Sequence, residues 1–255
     1  MSNWEDTFSD GKLILGYHSL TSTQDEALRL VNMGRKDIGA VQANFQSAGR
    51  GRRGSTWLSE EQESLLITYI ISGDLCKADT ARYLAFMAGA AVSTGISSAA
   101  GKHPDLKWPN DLMIAGRKIG GILIETTNTP DGTPAGLIGV GLNLYQLDFP
   151  QAIAPYATSI LHEWNIKVDI AALRQAIYKE LRHMYDVLNS EGLPAILRFW
   201  NDRNGTLNTW YQAATSAGLV IGIAEGIDDE GRLLLRTEEG NLVVSENASS
   251  MRKSG

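Results

Sequence analysis

One cysteine, Cys76, occurs in 255 residues, so a disulfide framework is excluded and a reducing cytoplasm is the expected setting. No run reaches the roughly 20 apolar residues of a membrane span, and the opening Met1-Ser2-Asn3-Trp4-Glu5-Asp6 lacks the basic and apolar pattern of a secretory signal. No membrane association is therefore expected. Basic residues are the minority, 23 against 29 acidic, for a formal net charge of -6; a general DNA or RNA binder needs a basic face, and neither partner is expected. The four histidines, at 18, 103, 162 and 183, show no metal-ligand spacing, and His162-Glu163 opens like HExxH only to meet Ile166 where the second histidine belongs. A GxSxG nucleophile elbow is missing, as is the lysine of a GxxxxGK[ST] phosphate loop. Cys76 has no histidine near it in sequence and reads as a buried thiol. Asn204-Gly205-Thr206 and Asn247-Ala248-Ser249 match the glycosylation pattern, which carries little without a secretory signal.

What is present is glycine, 26 residues of it, and an ordinary 43% of hydrophobic residues. That is enough, at this length, to bury a core in one large domain or in one large and one small. Residues 12–20 (KLILGYHSL) predict a strand. Ser22-Thr23-Gln24-Asp25-Glu26 then offers a hydroxyl cap with an acid three positions on, ahead of Ala27, Leu30 and Val31 at helical spacing and a stop at Gly34. Val41, Ala43 and Phe45 alternate with Gln42, Asn44 and Gln46, the period of a strand, and residues 64–71 (SLLITYII) make the near-continuous apolar run of a strand covered on both faces. A buried helix is expected from Ala78 to about Ala100. A hairpin follows, from 106–114 through a polar turn into 119–125, then a strand at 137–144 and helices at 169–189 and 194–203. From about Gly205, short runs broken by glycine at 219–223, 232–235 and 242–244 predict a small β-barrel or meander. The expected class is α/β, or α+β, with a larger domain over residues 1–204 and a small β domain over 205–255.

Gly49-Arg50-Gly51-Arg52-Arg53-Gly54 concentrates three glycines and three arginines in an acidic chain. Glycine lets backbone amides approach an anion, and arginine brings fixed charge with paired donors for phosphate or carboxylate oxygens. The stretch leaves one patterned strand and ends on Thr56-Trp57-Leu58 ahead of another, so an ordered loop is expected in place of a disordered arginine-glycine segment. Lys107-Trp108-Pro109-Asn110-Asp111 sets a lysine and two hydrogen-bonding side chains around a rigid Trp-Pro at a strand end. Gly139 and Gly141 interrupt an apolar strand, as close approach of a ligand or another backbone requires, and Asn143 follows. Lys118, just after a turn, reads by itself as a solvent-exposed turn residue.

With Ser22-Thr23-Gln24, QSAGRGRRGSTW (46–57), KWPND (107–111), GRKIGGILIE (116–125) and GVGLN (139–143) in this order, and a small β domain last, the chain resembles the biotin protein ligases from about residue 12 to its end. The resemblance implies a class II synthetase-like biotin/lipoate ligase catalytic domain with a mixed sheet, followed by a small SH3-like β-barrel. It implies an ATP-dependent ligase: biotin and ATP give biotinyl-5'-adenylate and pyrophosphate, and the acyl group passes to a lysine of a biotin carboxyl carrier protein domain. Biotin and ATP are then substrates, Mg2+ accompanies ATP, and metal ligands are not assigned. By the same resemblance Ser22, Thr23, Gln24 and Gln46 meet the biotin ureido ring or its neighbourhood, with Gly49, Arg50, Gly51, Arg52, Lys118, Gly139 and Gly141 completing the biotin site. Arg50, Arg52, Lys107 and Lys118 are the expected catalytic cations, and Arg52, Lys107, Asn110, Asp111, Lys118 and Asn143 line the ATP side. A first strand near residue 12 leaves no room for the helix-turn-helix domain of members that also repress transcription, so the monofunctional type is expected, cytoplasmic and without DNA, with a homodimer compatible. Ser55 departs from the family, standing where a further loop arginine is usual. The alternatives are a lipoate or octanoate ligase and a catalytically silent biotin-binding sensor.

Overall fold

Strand Leu13–Leu20 (β2) pairs antiparallel with the short strand Trp4–Thr7 (β1), then leads through helix Thr23–Asn32 (α1) into the parallel strand Ile38–Gln46 (β3). The computed structural model describes residues 2–215, 218–246 and 248–251. Ser22 caps α1, its hydroxyl accepting from the N–H groups of Gln24 and Asp25. The Asp25 carboxylate does not close a capping box; it pairs with Arg50. The apolar run becomes Ser64–Ser72 (β4), buried throughout except at its last residue. Helix Ala81–Ala100 (α2) follows, then Asp105–Lys107 (β5), Asp111–Ile114 (β6), Arg117–Asn128 (β7) and Pro134–Asn143 (β8). Ala115 and Gly116 turn β6 into β7 with φ of 50° and 76°, the left-handed pair that a tight hairpin uses. Together these strands form one mixed sheet in the order β1-β2-β3-β4-β8-β7-β6-β5, with β2 and β3 as its parallel pair.

On one face α1 packs Ala27, Leu30 and Val31 against Val41, Ala43 and Leu137. The short helix Ile160–Trp164 (α3) precedes Ile170–Glu191 (α4) and Leu193–Asn201 (α5), and α2, α4 and α5 pack together over the other face. Trp200 is fully buried there, its indole N–H donating to the Phe86 carbonyl at 2.8 Å. Trp210–Thr215 (β9), Gly218–Ile227 (β10), Leu233–Arg236 (β11), Leu242–Ser245 (β12) and Ala248–Ser250 (β13) form a separate antiparallel sheet in the order β12-β11-β10-β9-β13. Trp108 fastens this sheet to the first. Its backbone N–H donates to Thr206 Oγ1 at 2.8 Å, its indole N–H to the Gly231 carbonyl at 3.1 Å, and its carbonyl accepts from the Tyr211 hydroxyl at 3.1 Å. One hydrophobic core runs through the joint, with Leu106 and Trp108 in the same cluster as Tyr211, Leu233 and Leu235.

Two sequence expectations change here, and a third reading gains a structural reason. The membrane argument missed α2, which is long and apolar enough by composition to cross a bilayer, yet 61% of that window is buried inside the protein, as befits a core helix. Lys118 belongs to β7, beyond the turn at Ala115 and Gly116. The sequon at Asn204 is part of the joint between the two sheets, Asn204 Oδ1 accepting from the N–H of the fully buried Thr206; Asn247 lies outside the described residues. Cys76 is buried as expected, and that burial pushes its thiol up to about 11.

The contact of α2 with α4 allows a stability prediction of definite sign. A Cβ on Gly95 would stand 2.9 Å from Ile177 Cα and 3.0 Å from its backbone N, atoms that no rotamer change can move. Gly95→Ala gains about 1 kcal/mol of helix propensity but overpacks a rigid contact, which costs about 1–3 kcal/mol. Urea denaturation is expected to show net destabilisation; a more stable variant would mean that α4 slides away without cost.

Candidate active site

A cavity of about 350 Å³ opens beside the N-terminus of α1 and over β8. Its floor is bare strand. Gly139 lies beneath the Gln24 amide, whose Oε1 is 2.7 Å from where a Cβ would stand, and Gly141 lies beneath the Trp57 indole at 2.6 Å. Side chains at either position would evict those groups, which is the local reason for two glycines in an apolar strand. At the end beside α1 the polar groups are tied to one another. Gln46 Oε1 accepts from the Thr23 N–H at 2.7 Å and lies 3.0 Å from the Thr23 hydroxyl. Gln24 Nε2 donates to the Leu137 carbonyl at 3.2 Å. The buried Thr68 hydroxyl lies 2.9 Å from Thr23 Oγ1 and 3.0 Å from Gln24 Oε1.

Over the other end stand the cations. Lys118 Nζ is 2.5 Å from Asp111 Oδ1 and 5.8 Å from the Trp57 ring centre. Arg52 donates to Asn110 Oδ1 at 3.3 Å and is bonded to no carboxylate among the described residues. Asn110 is fixed in turn, its Nδ2 donating to the Ile122 carbonyl at 2.6 Å. Burial lowers the pKa of Arg52, Arg53 lowers it further and Asp111 opposes. Burial likewise lowers that of Lys107, with Asp111 opposing and Lys118 adding to it. Both shifts mean that the positive charge is poorly compensated here. Arg50 differs: at the rim it makes a forked pair with Glu125 at 2.9 and 3.0 Å and a third contact with Asp25 at 2.8 Å.

The glycine-arginine loop forms a closed turn. Gly51 N–H donates to the Ser55 carbonyl at 2.7 Å, and the Ser55 hydroxyl donates to the Arg52 carbonyl at 2.8 Å. Arg53 takes the left-handed conformation (φ 53°) and reaches across to Ser249 Oγ at 2.6 Å, so the C-terminal sheet closes one side of the cavity. A hollow of this size with glycine at its base, polar groups at one end, and Arg52 without a bonded carboxylate among the described residues beside the paired Lys118 at the other suits a small molecule with a polar head and an anionic reacting group.

The biotin/lipoate A/B protein ligase family matches residues 17–143, and the biotin protein ligase C-terminal domain matches residues 214–251. The biotin--[acetyl-CoA-carboxylase] ligase of Paracoccus denitrificans is 33% identical over 230 residues, which are 88% of this chain and 94% of that protein. The chain belongs to the biotin protein ligases. The bifunctional ligase/repressor BirA of Bacillus subtilis (strain 168) is 36% identical over 232 residues, 90% of this chain and 71% of that protein. The solved biotin protein ligase from Aquifex aeolicus in complex with biotin and ATP has the same fold, with a TM-score of 0.77 at 23% identity over 94% of this chain and 99% of that one.

Of the residues expected at a biotin ligase site, Ser22, Thr23, Gln24, Gln46, Arg50, Gly51, Arg52, Asn110, Asp111, Lys118, Gly139 and Gly141 meet around this cavity. Gly49, Lys107 and Asn143 do not line it. Gly49 is buried behind the loop, against the Trp57 carbonyl. Lys107 is half-buried opposite Asp111 in the β5–β6 register, and the buried Asn143 donates its amide to the Thr158 carbonyl at 3.1 Å. Sequence reasoning missed Trp57 and Thr68 as lining residues. For Trp57 the signal was its place at the loop's end; for Thr68 it was an aliphatic-sized hydroxyl residue at the centre of an apolar strand.

The loop geometry predicts that Ser55→Ala, which removes the tie to the Arg52 carbonyl, opens the turn and speeds tryptic cleavage after Arg52 and Arg53 several-fold, whereas Ser55→Thr leaves it near wild type. Equal cleavage of all three proteins would show that the hydroxyl does not hold the turn.

Proposed function

We propose that this ligase joins biotin to ATP as biotinyl-5'-adenylate and then passes the biotinyl group to a lysine of a biotin carboxyl carrier domain. The observation that carries the reading is the pairing, in one cavity, of a donor end at Ser22 and Gln46 with the uncompensated cation Arg52 beside Lys118. Because a backbone N–H can only donate, the Gln46 atom that faces Thr23 N is the amide oxygen, and Gln46 Nε2 is left as a donor. The Ser22 oxygen accepts from two backbone N–H groups, which leaves its O–H as another. A ureido carbonyl satisfies such donors. The apolar end of lipoate or octanoate leaves them unpaired, and a buried unpaired donor costs about 1–3 kcal/mol, so biotin is favoured over those acids.

In the first step a biotin carboxylate oxygen attacks the α-phosphorus. A new P–O bond forms as the bond to the bridging oxygen breaks, and the electron pair leaves with pyrophosphate. Two anions must approach, and the barrier falls when fixed cations hold them in line and balance the charge. We assign Arg52 and Lys118 to that task, with Asp111 orienting the Lys118 ammonium, Lys107 adding charge from behind the cavity wall, and Asn110 ordering the nucleotide side; Arg50, paired with Glu125 and Asp25, and Asn143, tied to the Thr158 carbonyl, are not given those roles. In the second step the neutral lysine amine of the carrier attacks the acyl carbon. A C–N bond forms, AMP leaves, and the amine loses a proton. Neither step needs a nucleophile from this chain. No three His, Cys, Asp or Glu side chains group into a metal site among the described residues; magnesium enters with ATP as the MgATP substrate.

The same reading takes residues 1–204 as the catalytic domain and 205–255 as the C-terminal domain, and a cytoplasmic setting. Incubation with biotin, MgATP and a carrier domain tests it directly: biotin is expected on the carrier lysine, and pyrophosphate release without such transfer would leave a sensor or another acceptor in its place. Lys118→Ala is expected to slow pyrophosphate release by about 100-fold or more, because a cation aimed at the reacting oxygens acts mainly in the transition state, while biotin affinity changes little. Adenylation within about threefold of wild type would remove Lys118 from the reaction.

A further inference from the structure

We propose that Thr68 is a positioning residue that holds the Thr23 hydroxyl and the Gln24 amide in place at the donor end of the cavity, and through them supports the preference for biotin over acids without a polar head. The proposal rests on the reading that this end receives the ureido group. Thr68 occupies the middle of β4, is fully buried, and is the lone polar side chain within the run Leu65-Leu66-Ile67-Thr68-Tyr69-Ile70-Ile71 apart from its tyrosine neighbour. It touches no ligand position through a charge; it acts on Thr23 and Gln24.

The chain of donors has one consistent order. The Thr23 N–H already fixes Gln46 Oε1 as an acceptor, so the Thr23 hydroxyl, 3.0 Å from the same oxygen, gives its proton there. Its own oxygen then has to accept, and the hydroxyl placed to donate is that of Thr68, at 2.9 Å. Gln24 Oε1 shares this proton at 3.0 Å, while Gln24 Nε2 is committed to the Leu137 carbonyl. Gln24 reaches this spot because Thr68 pairs in register with Gly139, above which the amide lies. The Thr68 hydroxyl, donating to Thr23 Oγ1, thus keeps the Thr23 hydroxyl turned to Gln46 and steadies the amide whose Nε2 the Thr23 N–H leaves facing the ligand. Without the Thr68 hydroxyl, the buried Thr23 and Gln24 oxygens lose that donor at the wall of the cavity. Thr23 then recovers a partner by turning away from Gln46, and the Gln46 amide, held by the Thr23 N–H alone, loses its second anchor and with it the fixed aim of Nε2 at the ligand.

Thr68→Val preserves shape and removes the hydroxyl. Steady-state pyrophosphate release should show the KM for biotin rising about 10- to 100-fold, the range expected when a buried polar partner is lost. The kcat at saturating biotin and the KM for ATP should stay within about twofold, and the kcat/KM preference for biotin over octanoate should fall in parallel with the biotin KM. Thr68→Ser, which restores the hydroxyl without the methyl group, should return the biotin KM to within about threefold of wild type. If Thr68→Val does not fold, as judged by its unfolding transition, Thr68→Ala and Thr68→Ser are compared in the same assay. An unchanged biotin KM in the hydroxyl-free variant, or an equal rise in Thr68→Ser, overturns the role of Thr68. A wild-type protein that releases no pyrophosphate with biotin and MgATP overturns instead the ligase reading on which it rests.

Discussion

Arg52 and Lys107 are drawn partly out of water with no carboxylate bonded to either among the described residues, and much of the site follows from that constraint. Burial lowers the pKa of each, so each charge stands at a cost in the free protein. The protein holds these charges in place with neutral groups. Asn110 receives Arg52 and is itself pinned to β7 through the Ile122 carbonyl, while Trp108, between Lys107 and Asn110, is anchored at three points to the C-terminal sheet. A carboxylate placed beside Arg52 would relieve the cost, and on the proposed assignment of Arg52 it would also remove the function, because the incoming anion would meet a neutral pair. Arg50, already satisfied by Glu125 and Asp25 at the rim, marks the contrast within the same loop.

The mixed sheet explains how segments so distant in sequence meet. The parallel step from β2 to β3 leaves the N-terminus of α1 and the end of β3 on one side, so Ser22, Thr23 and Gln46 face the same hollow. Placing β8 between β4 and β7 brings Thr68 level with Gly139, and Gly121 level with Gly141. That double glycine step is where the Trp57 ring rests, 3.5 Å from the Cβ position at Gly121 and 2.6 Å from that at Gly141. The C-terminal sheet completes the wall through Ala248 and Ser249, which gives the small domain a share in the cavity.

Much of this was legible from residue order. The period of Val41, Ala43 and Phe45, the apolar run of β4, the Ser22 cap and the glycine pair of β8 each state their role locally, and the helix and strand positions followed. Other elements were not legible because their cause is tertiary. β1 is four residues long and reads as a polar terminus until it lies on β2; β13 has three residues and exists by pairing with β9. α2 is apolar on nearly every side because sheet, α4 and α5 all cover it, a property that composition alone shares with membrane helices. Asn143 has the spacing of a cavity residue on β8, but its amide is drawn to the Thr158 carbonyl by a loop whose course the sequence does not announce. Ser55, read from the family pattern as a missing charge, has a positive task in holding the Arg52 carbonyl.

The central claim is that positioned charge suffices for acyl activation here, with no nucleophile from the chain. Rapid denaturation of the protein after mixing with biotin and MgATP, followed by mass measurement of both the chain and the released small molecules, tests it most directly. The account predicts biotinyl-5'-adenylate in the soluble fraction, in step with pyrophosphate, and a chain of unchanged mass. A chain that gains the biotinyl mass before any carrier is added, in an amount matching the pyrophosphate released, would contradict it.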